Sequence, residues 1–167
     1  MARILNGVFF LYFASHIPIT VLIDAQSVLP KEWYPQMLRD TLEWYCLKFK
    51  DPMMMDPPVW FKSFCICEVL LQFPFFFVAT AAFFQGTAKR LRIPLLVYSS
   101  HVATTVIAIL AHILFHDFSE SRYPGPETMQ ERLFLGAVYS PYLIVPLLLL
   151  FTTLFSEDFV RDHKKFL

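Results

Sequence analysis

Four long stretches of this chain carry almost no charge, and they limit what it can fold into. They cover residues 4–23, residues 63–88 with Glu68 as the single interruption, residues 93–116 and residues 133–156. About 20 mostly apolar residues cross a bilayer as a helix, which satisfies its own backbone hydrogen bonds where no water can do so. All four stretches reach that length. The expected fold is an all-α membrane protein, a four-transmembrane-helix bundle over residues 1–156 with a polar tail over 157–167. The first stretch reads as a span and not as a cleaved leader: it is longer than a leader's apolar core and ends on the bulky Leu22 and Ile23.

Composition removes the main alternatives. Apolar residues make up 56% of the 167 and charged residues 17%, the reverse of a disordered chain. Lys plus Arg and Asp plus Glu are 14 each, so the net charge is zero and no cationic surplus exists for nucleic acid. Cys46, Cys65 and Cys67 are odd in number, and the last two lie in an apolar stretch. They fit neither a disulfide framework nor a zinc spacing, and read as small apolar fillers. No metal or cofactor is expected.

Orientation follows from the basic residues. Lys89, Arg90 and Arg92 crowd the second connection without an acid among them, Arg3 opens the chain, and Arg161, Lys164 and Lys165 lie in the tail. The cations of the first connection are diluted among acids. The positive-inside rule then puts both termini in the cytosol. The terminal Lys164-Lys165-Phe166-Leu167 resembles the dilysine retrieval signal of endoplasmic-reticulum membrane proteins, and residence in that membrane is expected, with endolysosomal and nuclear-envelope membranes as further locations.

Within the first connection, residues 35–49 place Leu38, Leu42, Tyr45 and Phe49 at helical spacing, with Arg39, Asp40, Glu43 and Lys48 elsewhere on the surface. This predicts a lumenal amphipathic helix over the mouth of the bundle, broken by Asp51-Pro52 and followed by a turn containing Met54. Residues 117–132, with Pro124-Gly125-Pro126, read as an irregular connector.

The residues that do not answer to lipid suggest a function. An ionised carboxylate deep in a bilayer costs about 2.5–3.5 kcal/mol on insertion scales, unless it is protonated, paired or facing a wet cavity. Glu68 lies in the second span and Asp24 at the same end of the first, so antiparallel packing brings them to similar depth. Both cannot remain ionised together in a low dielectric. One shared proton leaves a single negative charge, a good receptor for one ammonium group among aromatic rings. His16, Thr20 and Asp24 recur every four residues on one face of span one, which Pro18 kinks. Glu68 and Gln72 share a face of span two near Phe61, Phe64 and Phe75. Span three offers His101, Thr104 and Thr105; span four offers Tyr139, Pro141, Tyr142 and Pro146. Few polar groups among many aromatic ones make a small-molecule cavity. The same acids and His16 could instead move protons to an apolar substrate, so a receptor and an isomerase both remain open.

At these residues the chain resembles a known family. LYFASHIPIT (11–20), KDP (50–52), PPVWFKSF (57–64), CEVLLQFPFF (67–76) and VYSPYL (138–143) are similar, in order and with few gaps, to the sterol- and amine-binding receptors of the EXPERA superfamily, which also holds the emopamil-binding sterol isomerase. The resemblance implies four helices around a lipid-accessible, lumenal-side pocket, and a homodimer. It puts the amine-binding aspartate on Asp24, its partner glutamate on Glu68, and pocket contacts on His16, Gln72, Tyr98, Thr105, Tyr139 and Tyr142. A second ligand-linked aspartate falls on Asp51, whose place before Pro52 suggests that it holds the lid, with Tyr45, Phe49, Met54, Phe61 and Phe64 as structural neighbours of the pocket. The implied ligands are sterols, oxysterols and cationic amphiphiles, and the implied role is cholesterol homeostasis through the Niemann–Pick type C transporter. The chain departs from the family in a shorter N-terminus, in the tail after Phe151, and at Cys65 and Thr41, where leucine is expected.

Overall fold

A computed structural model of the chain describes the backbone of residues 2–159 and the side chains of 4–159. The dilysine-like end, the rest of 160–167 and the side chain of Arg3 lie outside the described residues.

The described residues are helical throughout, without strands. The first helix, α1, spans Ala2–Leu22 and runs through Pro18 into a tight 3-10 turn over Asp24–Ser27. Helix α2 (Gln36–Phe49) begins where the spacing of its apolar residues predicts and ends at Lys50, which turns left-handed at φ 54°. Helix α3 (Pro52–Met55) is a single turn. Then α4 (Val59–Cys67), a π-helical turn over Glu68–Gln72 and α5 (Phe73–Phe84) form one span. The π turn has a local cause. The N–H of Phe73 reaches five residues back to the Glu68 carbonyl, and Pro74 has no N–H with which to continue the ladder. Helix α6 (Arg92–Phe115) follows a basic 3-10 turn, Ala88–Leu91.

The last span differs from expectation. It is broken into α7 (Met129–Tyr139) and α8 (Pro141–Phe155), which meet at a bend of 45°. Proline starts a helix readily but cannot hydrogen-bond in the middle of one, so Pro141 divides what reads as one apolar run. The preceding connector is also shorter than expected. Thr128 caps α7 by accepting from the Glu131 N–H, while the Glu131 carboxylate accepts from the Thr128 N–H, so the helix begins at Met129. Among the described residues, three helical segments are long and apolar enough to cross a membrane, and the bent pair α7–α8 passes the same test together.

Helix α1 lies along α5, and α6 lies along α8 and α7. At one end the interior is packed with rings: Phe9, Phe13, Phe76 and Phe83 are buried, with Phe13 stacked on Phe83 at 5.8 Å. At the other end α2 and α3 cover the bundle, setting Leu42, Cys46, Met53 and Met54 against Phe61, Ile113 and Leu135. The tail starts by returning to the protein: Lys89 pairs with Asp158 at 3.3 Å and Phe159 is buried.

Candidate functional site

The cover over the second end does not fill it. A cavity of about 350 Å³ lies between α1, α2, the α4–α5 span, α6 and the α7–α8 bend. His16, Asp24, Glu68, Gln72, Tyr98, Thr105, Tyr139 and Tyr142 all face it, as do Tyr45, Met54, Phe61 and Phe64.

Helix α1 supplies a polar ladder. Tyr12, His16, Thr20 and Asp24 recur every four residues and so climb one face. Thr20 donates its hydroxyl hydrogen to Glu68 Oε1 at 2.5 Å. Asp24, one turn further along the same face, lines the cavity with Glu68. Two carboxyl groups in one low-dielectric wall disfavour double ionisation, so a single proton between them is the lowest-cost state. Donation from Thr20 favours the ionised form on Glu68, which leaves that proton to Asp24.

Deeper in, His16 donates from Nδ1 to the Tyr12 carbonyl at 2.6 Å and sits edge-on to Tyr142, with ring centroids 5.0 Å apart. Tyr98 donates to the Tyr12 hydroxyl at 3.2 Å. Gln72 is buried and lines the cavity. The π turn sets both Glu68 and Gln72 towards the cavity.

Asp51 has a different place. It is fully buried but does not line the cavity; it lies where the cover meets α7. Tyr139 donates to its Oδ2 at 2.6 Å and Tyr45 at 3.4 Å, while Oδ1 has no partner. Burial pushes its carboxyl up from 3.8 to about 6, against the lowering effect of the Tyr139 bond. Next to it, Lys50 pairs with Glu131 at 2.6 Å and Phe49 stacks on Phe134 at 5.3 Å. Three successive residues therefore fasten the cover to α7, and Phe49 acts there and not at the cavity wall.

Several sequence candidates lie elsewhere. Thr104 is exposed and bonds back to the Ser100 carbonyl; His101 and Phe75 are not in the cavity wall; Pro141 is exposed at the bend. His112 and His116 stack on each other at 4.1 Å beside Trp60 and Phe118. Conversely, Tyr12, Ile19, Ile23, Val102, Val106, Ile109 and Val138 line the cavity without having been singled out. Tyr12 carried a signal, because it extends the four-residue ladder by one step. The aliphatic residues carried none, since a wall of valine and isoleucine reads like any lipid-facing surface. Thr41 and Cys65 both line the cavity.

Comparison with known proteins places the chain in a family. The chain is 56% identical over 164 residues to Sigma intracellular receptor 2 of Xenopus tropicalis, covering 98% of this chain and 96% of that one. It is 50% identical over 158 residues to Sigma intracellular receptor 2 of Homo sapiens, covering 93% and 90%. A more distant relative, Efficient mitochondria targeting-associated protein 19 of Saccharomyces cerevisiae, is 28% identical over 149 residues. The family model described as EXPERA (EXPanded EBP superfamily) matches residues 37–153. The resemblance read from the sequence strings therefore holds across nearly the whole chain, and the protein belongs to the EXPERA family, among its membrane receptors.

Proposed function

We propose that this protein is a non-enzymatic receptor in the endoplasmic-reticulum membrane that takes sterols and cationic amphiphilic amines into the cavity, as part of cholesterol homeostasis. It has four spans, both termini in the cytosol and the α2 cover on the lumenal side. It acts as a homodimer, with the Niemann–Pick type C transporter as a partner. The observation that carries the reading is the pair of carboxyl groups, Asp24 and Glu68, in the wall of an aromatic cavity of small-molecule size.

The mechanism is a relocation of one proton. In the empty cavity Asp24 holds the proton and Glu68 is ionised. An arriving ammonium group docks on Asp24, whose proton passes to Glu68, so that one negative charge faces one positive charge and the site's single negative charge is neutralised. Tyr45, Tyr139, Tyr142 and Phe64 line the space around it, and such ring faces attract a cation. Asp24→Asn should weaken binding of a tertiary-amine amphiphile more than about 100-fold, the scale of removing one partner of a buried charge pair. Titration of the purified variant checks this, and unchanged affinity in a folded variant would reject the role of Asp24.

The second reading is sterol double-bond isomerisation. It is favoured by a carboxyl that holds a transferable proton near His16. Incubation with a Δ8-sterol decides between them. The receptor reading expects no Δ7 product, whereas turnover that vanishes in Glu68→Gln would make the protein an enzyme.

A further inference from the structure

We propose that ligands reach the buried carboxyl pair through a mouth on the outer face of α2, bounded by Thr41 and Trp44, and that the exposed carboxylate of Asp40 is where an arriving ammonium group first docks. The inference rests on the amine-binding reading above and adds to it a route and an order of events.

The location follows from exposure. Of all the residues that line the cavity, Thr41 and Trp44 alone are exposed at the protein surface; the others are buried or half-buried. A cavity reaches the outside where its walls do. The same two residues, with Met37 and Asp40, form an open hollow of about 530 Å³ on the surface of α2. Positions 37, 40, 41 and 44 are one face of a helix. The hollow and the cavity share two side chains, so Thr41 and Trp44 are what stands between them.

The chemistry of the hollow suits an amphiphilic amine. Asp40 is its one charged residue, held by a hydrogen bond from Gln36 Nε2 at 2.6 Å. Gln36 also accepts from Arg39, which ties that cation to the helix surface beside the hollow. Trp44 already carries an ammonium group: Lys48 Nζ lies 5.5 Å from its ring centroid. An incoming amine would compete for that aromatic face, so Lys48 opposes docking while Asp40 favours it. Met37 and Trp44, both exposed, give the hollow apolar surface for the ligand's tail. Thr41 is a small side chain, so it narrows the doorway little.

The two acids should therefore control different quantities. Asp40 is exposed and screened by salt, so it acts on the rate of arrival; Asp24, buried, sets the affinity.

The test is the association and dissociation of a fluorescent tertiary-amine amphiphile, measured on the full chain in lipid nanodiscs. At low ionic strength Asp40→Asn should slow association about 3-fold and Lys48→Gln should speed it by a similar factor, both differences fading in high salt. Trp44→Ala should speed association and dissociation together. To test the route itself, Thr41→Cys is alkylated with a bulky maleimide, with the parent chain treated alike as control. Uptake by empty protein and release from preloaded protein should both slow more than about 10-fold, a change of about 1.4 kcal/mol in barrier height. Release as fast as before, or an association rate indifferent to Asp40 at every salt concentration, would overturn the proposal. Such a failure leaves Asp24-dependent binding intact. Failure of the amine-binding reading shows differently, as loss of Asp24 dependence in the parent chain, and overturns both.

Discussion

At the Phe9 end of the bundle and at the Asp24 end, the same helices meet in opposite ways. Around Phe9 rings fill the space between the helices: Phe9 packs on Phe83 at 5.4 Å, Phe13 on Tyr98 at 5.1 Å, and Phe76, Leu95 and Leu149 leave no surface exposed, with a hollow left further out, among Leu5, Gly86, Phe151 and Phe155. Around Asp24 the helices stand apart around about 350 Å³ of cavity, with two carboxyl groups and a glutamine in the wall. Lipid tails solvate phenylalanine as well as another phenylalanine does, so burial alone holds neither end together. The closed end gains from the many close ring contacts. The open end is set by polar residues that cannot face lipid and by two breaks in helix regularity, the π turn before Pro74 and the bend at Pro141. One half supplies the rigidity that lets the other remain hollow.

The contrast can be broken from either side. The largest effect is expected at the closed end. Phe9→Ala should cost about 3–5 kcal/mol of stability, the usual range for removing a buried ring, with amine affinity of the surviving folded protein unchanged. Thermal unfolding and ligand titration of the same sample check it.

Next is the cover. Asp51 holds its proton more tightly in the folded protein than in the unfolded chain, so its contribution to stability is full below about pH 4 and is lost as pH rises to about 6. The swing is about 3 kcal/mol for a shift of this size. Melting temperature in detergent should fall across that window, and Asp51→Asn should flatten the profile. A fall that persists in the variant would assign it to other groups.

At the open end, Glu68→Gln keeps a charge on Asp24 but removes the proton acceptor. A loss of affinity of about 10-fold is expected, well short of the Asp24→Asn effect. The smallest change sharpens the contrast most. Gln72→Leu replaces an amide that faces the cavity and should lower amine affinity about 3-fold with melting temperature nearly unchanged, which titration and thermal unfolding of the same sample check.

Much of this was legible in the sequence because lipid imposes simple rules. The charge-free runs located the spans, apolar spacing located α2, and the cost of Glu68 at depth pointed to Asp24. The break at Pro141 was not legible as a break: the run stays apolar through it, and proline is tolerated in membrane helices. Nor was the π turn, which depends on how Phe73 and Pro74 close the ladder. The start of α7 was readable in Thr128-Met129-Gln130-Glu131, whose Thr and Glu three apart are a capping signature, yet the neighbouring prolines and glycine suggested a loop. The aliphatic wall had no marker at all, since Val102, Val106 and Ile109 differ from lipid-facing residues only in where the helix turns them. Asp51 was tied to the lid by the proline after it, but its hold on Tyr139, 88 positions away, needed coordinates.

The claim beneath all of this is that Asp24 and Glu68 share one proton in a closed chamber. Infrared spectroscopy of the purified protein at about pH 8, where Asp51 is ionised, tests it most directly. The account expects the carbonyl stretch of one protonated carboxyl group per chain, unchanged by Asp51→Asn and absent from the Asp24→Asn, Glu68→Gln double variant. A spectrum in which every carboxyl group is ionised would contradict it.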